Sequence, residues 1–127
     1  MDAIAALIKR ACNGPLHLVI DPVWGLLAAA SIDALAPGGR LVNFGSSGGM
    51  VAPLDSAVIR SKWLSVLGYT NLMVSFEDAR KAVTELHGLA AEGRIQVHPE
   101  RVGLDDVAPA FARAGSAPHC KLIVVPS

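Results

Sequence analysis

The sequence has few cysteines, no excess of either charge and no long apolar run, and each shortage excludes a class of protein. Its two cysteines, Cys12 and Cys120, lie far apart and outside any C-x-x-C pair, which argues against a disulfide framework or a structural zinc knuckle. Eleven Lys and Arg balance eleven Asp and Glu, so no basic field is present to attract nucleic acid or an anionic membrane surface.

Membrane insertion and secretion are also disfavoured. The longest apolar runs, LHLVI and GLLAAASIDALA, are too short or too interrupted to span a bilayer. The N-terminus MDAIAALIKRACNG lacks the basic start and the small-residue cleavage site of a signal peptide. We therefore expect a cytoplasmic protein that binds neither membrane nor nucleic acid.

The potential metal ligands show no spacing that would bring them together. His119 and Cys120 are adjacent, whereas His17, His87 and His98 are scattered, without i, i+3 or i, i+4 partners. No Ser-His-Asp order or carboxylate pair indicates a hydrolase. We expect no zinc and assign no catalytic residue.

The 127 residues fit one domain, and the pattern along the chain predicts an α/β fold. Four apolar segments are typical of strands: LHLVI, RLVNFG, WLSVLGYT and CKLIVVP. The proline at position 22 ends the first of them. Helices are expected between them, and a short extended piece at MVAP. Because 52% of the residues are hydrophobic and only 17% charged, we expect a partner to cover some apolar surface.

Two helices have recognisable start signals. Asp55 or Ser56 caps the segment LDSAVIRSK, and Ser75 with Asp78 forms a capping box before a long helix. That long helix has one apolar face, formed by Phe76, Ala79, Val83, Leu86 and Ala90. The segments DAIAALIKRACNG, LLAAASIDALAPGG and LDDVAPAFARAG are the other expected helices.

The glycine-rich stretch GGRLVNFGSSGG, residues 38 to 49, has two interpretations. Glycines after a buried strand are typical of a nucleotide site, but the phosphate-binding pattern G-x-G-x-x-G occurs nowhere in the chain. Residues 45 to 49 also fit a turn that needs positive φ angles and flexibility, and the residues alone favour this interpretation. The nucleotide site remains the alternative.

Five blocks together carry a family resemblance: VIDPVWG, GGRLVNFGSSGG, RSKWLSVLGYTN, AAEGRI and KLIVVP. In this order they resemble the C-terminal part of the Rossmann domain in the medium-chain dehydrogenase/reductase superfamily. Within it they resemble the quinone-oxidoreductase-like members often labelled zinc-binding dehydrogenases. The resemblance implies a partial Rossmann-like fold of three parallel strands with flanking helices, plus a C-terminal strand.

The resemblance also implies what lies outside these 127 residues. Residues 1 to 127 would be a single domain, the C-terminal half of an NAD(P)-binding Rossmann domain. The first three strands, the phosphate loop and the N-terminal GroES-like catalytic domain would be absent. Family members that bind catalytic zinc hold it in that N-terminal domain, so the resemblance adds no zinc site here.

By resemblance, the matching positions would bind NADP or NAD on its nicotinamide side. They are Asp21, Pro22, Phe44, Gly45, Ser46, Leu67, Gly68, Tyr69 and Lys121. Each has a plainer alternative: Asp21 before Pro22 ends a strand, Lys121 is a solvated lysine, and Tyr69 has no charged neighbour in sequence that would favour proton donation.

Two functions follow as hypotheses. The first is the C-terminal segment of the cofactor domain of an NAD(P)H-dependent oxidoreductase, either a quinone or enone reductase or an alcohol dehydrogenase. On its own this segment would be inactive and would bind the cofactor weakly or not at all. The second is a non-catalytic module that forms a homodimer or higher oligomer through open strand edges. In a third case, a separate chain supplies the missing half. Light scattering after size-exclusion chromatography tests the second, because a stable monomer would contradict it.

Overall fold

The computed structural model describes residues 2–116 and 120–126, in which helices and strands alternate. The first elements in chain order are α1 (Asp2–Ala11), β1 (Leu18–Asp21), α2 (Gly25–Ala34), β2 (Arg40–Asn43), α3 (Ser56–Ser61), β3 (Ser65–Gly68) and a 3-10 turn (Asn71–Met73). They are followed by α4 (Phe76–Ala91), β4 (Pro99–Gly103), a second 3-10 turn (Leu104–Asp106), α5 (Val107–Ala114) and β5 (Lys121–Val125).

These elements fall into two compact units, Met1–Val74 and Ser75–Ser127. The single domain expected from the chain length stays a prediction. None of the described helices is long and apolar enough to cross a membrane.

Three strands of the first unit form a parallel sheet in the order β1-β2-β3. Helices connect them, as parallel pairing requires. The register places Asp21 opposite Asn43, and Asn43 opposite Gly68, so the three strands end level with one another. The predicted α/β, partial Rossmann-like fold is confirmed.

The core of this unit lies between α2 and the sheet. Ala28 and Ile32 on α2, Leu35 just after it and Leu41 on the central strand are fully buried. Alanines let the helix approach the sheet closely, and the buried larger side chains fill the space between them. Lys62 caps the C-terminal end of α2, because its Nζ donates to the carbonyl oxygens of Asp33 and Leu35 at 3.0 Å each.

In the second unit, β4 and β5 pair in parallel. Strand β4 was missed in the sequence, which predicts four strands rather than five. Its residues PERVG begin with proline, end with glycine and carry two charges, so the apolar signal of a strand is absent. The extended piece expected at MVAP is not a strand.

The predicted caps are confirmed. Asp55 accepts hydrogen bonds from the N–H groups of Ala57 and Val58, and Ser75 accepts from the N–H of Asp78. Helix α5 begins at Val107 rather than in the preceding turn, which leaves proline in its first turn, where no intrahelical donor is lost. None of the α4 residues is buried, so its predicted apolar face is exposed in the described structure.

Candidate functional site

The carboxyl ends of the three parallel strands place most of the predicted binding residues along one edge of the sheet. Backbone bonds continue the pairing beyond the strands, from Phe44 N to Asp21 O at 3.0 Å and from Tyr69 N to Asn43 O at 2.8 Å. Eight predicted residues lie along this edge: Asp21, Pro22, Phe44, Gly45, Ser46, Leu67, Gly68 and Tyr69. In parallel α/β sheets, ligands bind at this edge.

A cleft of about 350 Å³ opens there, lined by Phe44, Tyr69, Thr70 and Asn71. Phe44 is 49% exposed and Tyr69 53% exposed, so both rings are half available for contact with a ligand. The cleft therefore combines apolar ring surface with the hydroxyl group of Thr70 and the amide of Asn71. Such a lining suits a flat molecule that carries a polar substituent.

Asp21 has a different environment from the one expected of a residue facing a cofactor. It is only 5% exposed, and its Oδ1 accepts the N–H groups of Val23 at 3.0 Å and Trp24 at 2.9 Å. Its Oδ2 accepts from the side-chain amide of Asn43 at 3.1 Å. The carboxylate organises the turn after β1, which agrees with the alternative that Asp21 ends the strand.

Trp24, which follows this turn, has a strained backbone. Its φ of 63° and ψ of −158° lie in a region that is essentially restricted to glycine. Such a conformation costs about 1–3 kcal/mol and persists only when its surroundings hold it. Asp21 supplies part of that restraint through its bond to the Trp24 N–H.

The structure shows why glycine is required in the loop after β2, and the reason is neither nucleotide binding nor a positive φ angle. A Cβ atom on Gly45 would lie 2.4 Å from the carbonyl oxygen of Pro22, and one on Gly48 would lie 2.8 Å from a methyl group of Val23. In residues 45 to 49 only Gly49 has a positive φ. Gly45 and Gly48 are therefore required by close contact with the neighbouring loop.

Asn43 is the site residue that the sequence analysis missed. Besides Asp21 Oδ2, its Nδ2 lies 2.6 Å from the Gly45 carbonyl oxygen and 3.2 Å from the Asp21 carbonyl oxygen. Asn43 follows two apolar residues at the end of β2 as Asp21 does at the end of β1, and this is the signal that could have found it.

Lys121, the ninth predicted residue, begins β5 in the second unit, where its side chain is exposed. Its backbone N–H donates to His98 O at 3.1 Å. Its contact with a cofactor stays a prediction.

A group of ionisable side chains in the second unit links β4, α5 and the start of β5. Arg113 forms an ion pair with Glu100, whose other oxygen accepts from Cys120 Sγ at 3.6 Å. The hydrogen bond from Arg113 lowers the pKa of Glu100. Two causes raise the pKa of the Cys120 thiol: the larger is its partial burial, and the second is the neighbouring Glu100 carboxylate. Cys120 therefore stays a thiol at neutral pH and is a poor nucleophile.

We expect Glu100→Gln to accelerate alkylation of Cys120 severalfold at mildly alkaline pH. Loss of the carboxylate removes a negative charge that opposes thiolate formation and leaves the Arg113 guanidinium to favour it. Mass spectrometry of iodoacetamide-treated protein measures the rate, with Cys12 as the internal control in the same molecule. Equal Cys120 rates in the wild type and the variant would contradict the Glu100 contact.

Within residues 2–116 and 120–126, no three His, Cys, Asp or Glu side chains lie close enough together to hold a metal ion. His119 lies outside the described residues. The expectation that the chain binds no zinc stays a prediction.

The chain is similar to one described protein family and to many solved structures. The model of a family described as zinc-binding dehydrogenase matches residues 2–124. Benzyl alcohol dehydrogenase from Acinetobacter calcoaceticus superposes with a TM-score of 0.79 at 20% identity, over 100% of this chain and 35% of that one. The quinone oxidoreductase of Pseudomonas syringae superposes with a TM-score of 0.74 at 21% identity, over 99% and 40%.

CurA from Vibrio vulnificus, solved in complex with NADPH, superposes with a TM-score of 0.73 at 16% identity, over 97% of this chain and 40% of that one. At these identities the likeness shows a shared fold. The chain spans 35% to 40% of the length of these three proteins. A comparison with curated proteins finds no match.

Proposed function

Because the chain belongs to the zinc-binding dehydrogenase family, we propose that it forms the nicotinamide-binding part of the cofactor domain of an NADP- or NAD-dependent oxidoreductase. The observation that carries this proposal is the cleft lined by Phe44, Tyr69, Thr70 and Asn71. It lies at the carboxyl edge of a parallel sheet, where α/β domains bind dinucleotides. The complex of CurA with NADPH supports the choice of cofactor.

The residues of the cleft fit a nicotinamide ring. Phe44 and Tyr69 offer half-exposed ring surface to a planar heterocycle. The carboxamide needs both donors and acceptors, which the Asn71 amide and the exposed Ser46 hydroxyl can provide. When bound, the cofactor supplies hydride transfer, while this chain binds and orients its nicotinamide end.

The chain alone is proposed to bind the cofactor weakly and to be inactive. The sequence contains no G-x-G-x-x-G, the pattern that holds a pyrophosphate on backbone N–H groups at a helix N-terminus. Binding energy is then limited to the nicotinamide end. The substrate, whether an enone, a quinone or an alcohol, would be selected by parts of the protein outside these 127 residues.

Titration of the 127-residue chain with NADPH, followed by NMR, tests the proposal. We expect a dissociation constant of about 1 mM or weaker, with shifts concentrated at Phe44, Tyr69, Thr70 and Asn71. Tyr69→Ala should weaken binding, because one apolar wall of the cleft is lost. Trp63→Ala is the matched control: this exposed aromatic residue precedes β3, at the opposite end of the strand, and its loss should leave binding unchanged.

Two outcomes would contradict the proposal. Sub-millimolar affinity would show that the chain does not depend on a separate phosphate loop. Shifts centred away from the Phe44 cleft, or absent at saturating NADPH, would show that this edge is not the nicotinamide site.

A further inference from the structure

The side-chain amide of Asn43 is surrounded by hydrogen-bond acceptors from two loops. Its Nδ2 lies 2.6 Å from Gly45 O, 3.1 Å from Asp21 Oδ2 and 3.2 Å from Asp21 O. Because all three neighbours accept, the nitrogen and not the oxygen of the amide must face them. Asn43 thus joins the end of β1 to the loop that follows β2.

The two loops that Asn43 joins also touch through their backbones. Gly48 N donates to Val23 O at 2.7 Å, and the Ser47 hydroxyl donates to Pro22 O at 3.4 Å. Gly45 lies so close to Pro22 that no Cβ fits between them. A shift of residues 45 to 48 would therefore break contacts along the whole turn after β1.

We propose that Asn43 is a positioning residue, which fixes the backbone of residues 45–48 by bridging Asp21 and Gly45. This role rests on the proposed function, because the loop carries Ser46 and directly follows Phe44 at the nicotinamide cleft. A loop that is already ordered loses less conformational entropy when a ligand binds. Asn43 would then favour cofactor binding without touching the cofactor.

A residue that merely stabilised the fold would act differently from a positioning residue. If Asn43 only held the sheet together, its loss would increase opening at all three strands by a similar factor. If it positions the loop, the increase is confined to the two loops and the strand interiors keep their protection. Amide hydrogen exchange followed by NMR separates these cases residue by residue.

The test compares Asn43→Asp with the wild type. Aspartate has the same shape, but it replaces the donor by a second carboxylate facing Asp21 and Gly45 O. We expect exchange at the Gly48 amide to rise about tenfold or more, since a hydrogen bond to a charged group is lost. Exchange at Val42, inside β2, should change by less than about twofold. Asn13→Asp makes the same change at an exposed residue after α1 and should leave both amides unaffected.

Two further measurements test the role of Asn43 if Asn43→Asp does not fold. In the wild type, Gly48 should already be protected although it lies in a loop, and an unprotected Gly48 amide would overturn the proposal. Asn43→Ala removes the donor without adding a charge and should give the same local pattern. An equal rise throughout β1, β2 and β3 in either variant would show a purely structural role.

NADPH titration separates this proposal from the proposed function. With both correct, Asn43→Asp weakens the NADPH-induced shifts at Phe44 and Ser46, whereas Asn13→Asp does not. If the wild type shows no such shifts but Gly48 exchange follows the expected pattern, the proposed function fails and the fixing of the loop stands. If NADPH binds equally well to the wild type and Asn43→Asp, the positioning role is overturned.

Discussion

Replacing Gly45 with alanine is expected to destabilise the first unit by about 1–3 kcal/mol, the range for forcing extra atoms into a packed site. The new Cβ would lie 2.4 Å from the carbonyl oxygen of Pro22. That oxygen belongs to the backbone of a turn that cannot easily move, because Asp21 binds two of its N–H groups. The clash must therefore be relieved by separating the two loops.

Urea unfolding followed by tryptophan fluorescence measures this effect selectively. The only tryptophans of the chain, Trp24 and Trp63, both belong to the first unit, so the signal reports that unit alone. Gly68→Ala is the control, because a Cβ there meets nothing within 4 Å and its φ is not positive. We expect it to change the unfolding free energy by no more than about 0.5 kcal/mol. Equal effects of the two substitutions would show that the loop contact is not tight.

The contrast between these two glycines shows where sequence analysis succeeds and where it stops. Apolar runs separated by helical segments predict parallel strands, and the structure confirms them, but the order β1-β2-β3 cannot be read from that local pattern. The requirement for glycine at position 45 comes from Pro22, which is distant along the chain. Only the pairing of β1 with β2 brings these two residues together, so no local sequence pattern predicts the contact between them.

For the polar residues of the site, too, the sequence predicts the position, whereas the contacts depend on strand pairing. The sequence marks Asp21 because it follows an apolar run and precedes proline, but its burial and its bonds depend on Asn43 across the sheet. Strand β4 was missed because its pairing with β5, rather than its own composition, makes it a strand. Residues 44 to 46 and 67 to 69 were placed at one edge by resemblance, and the parallel register explains why they share it.

Asp21→Ala is expected to cost more than any other single exchange of an aspartate in the first unit, about 3 kcal/mol of unfolding free energy. The substitution leaves the backbone N–H groups of Val23 and Trp24 without their side-chain acceptor, and it removes one of the three acceptors around the Asn43 amide. Because this position is only 5% exposed, water can replace the carboxylate only in part. The strained backbone of Trp24 also loses one of the bonds that hold it.

Asp55→Ala makes the same chemical change at an exposed position and isolates the effect of burial. Asp55 also accepts two backbone N–H groups, from Ala57 at 2.7 Å and Val58 at 3.4 Å, but water can reach those groups when the side chain is removed. Loss of such a helix cap costs about 1 kcal/mol. The difference of about 2 kcal/mol between the variants, measured by tryptophan fluorescence in urea, is the cost of leaving donors unpaired in the interior. If Asp21→Ala were no more destabilising than Asp55→Ala, the carboxylate of Asp21 would not be what holds the turn, and a role facing a bound ligand would account better for an acidic residue there.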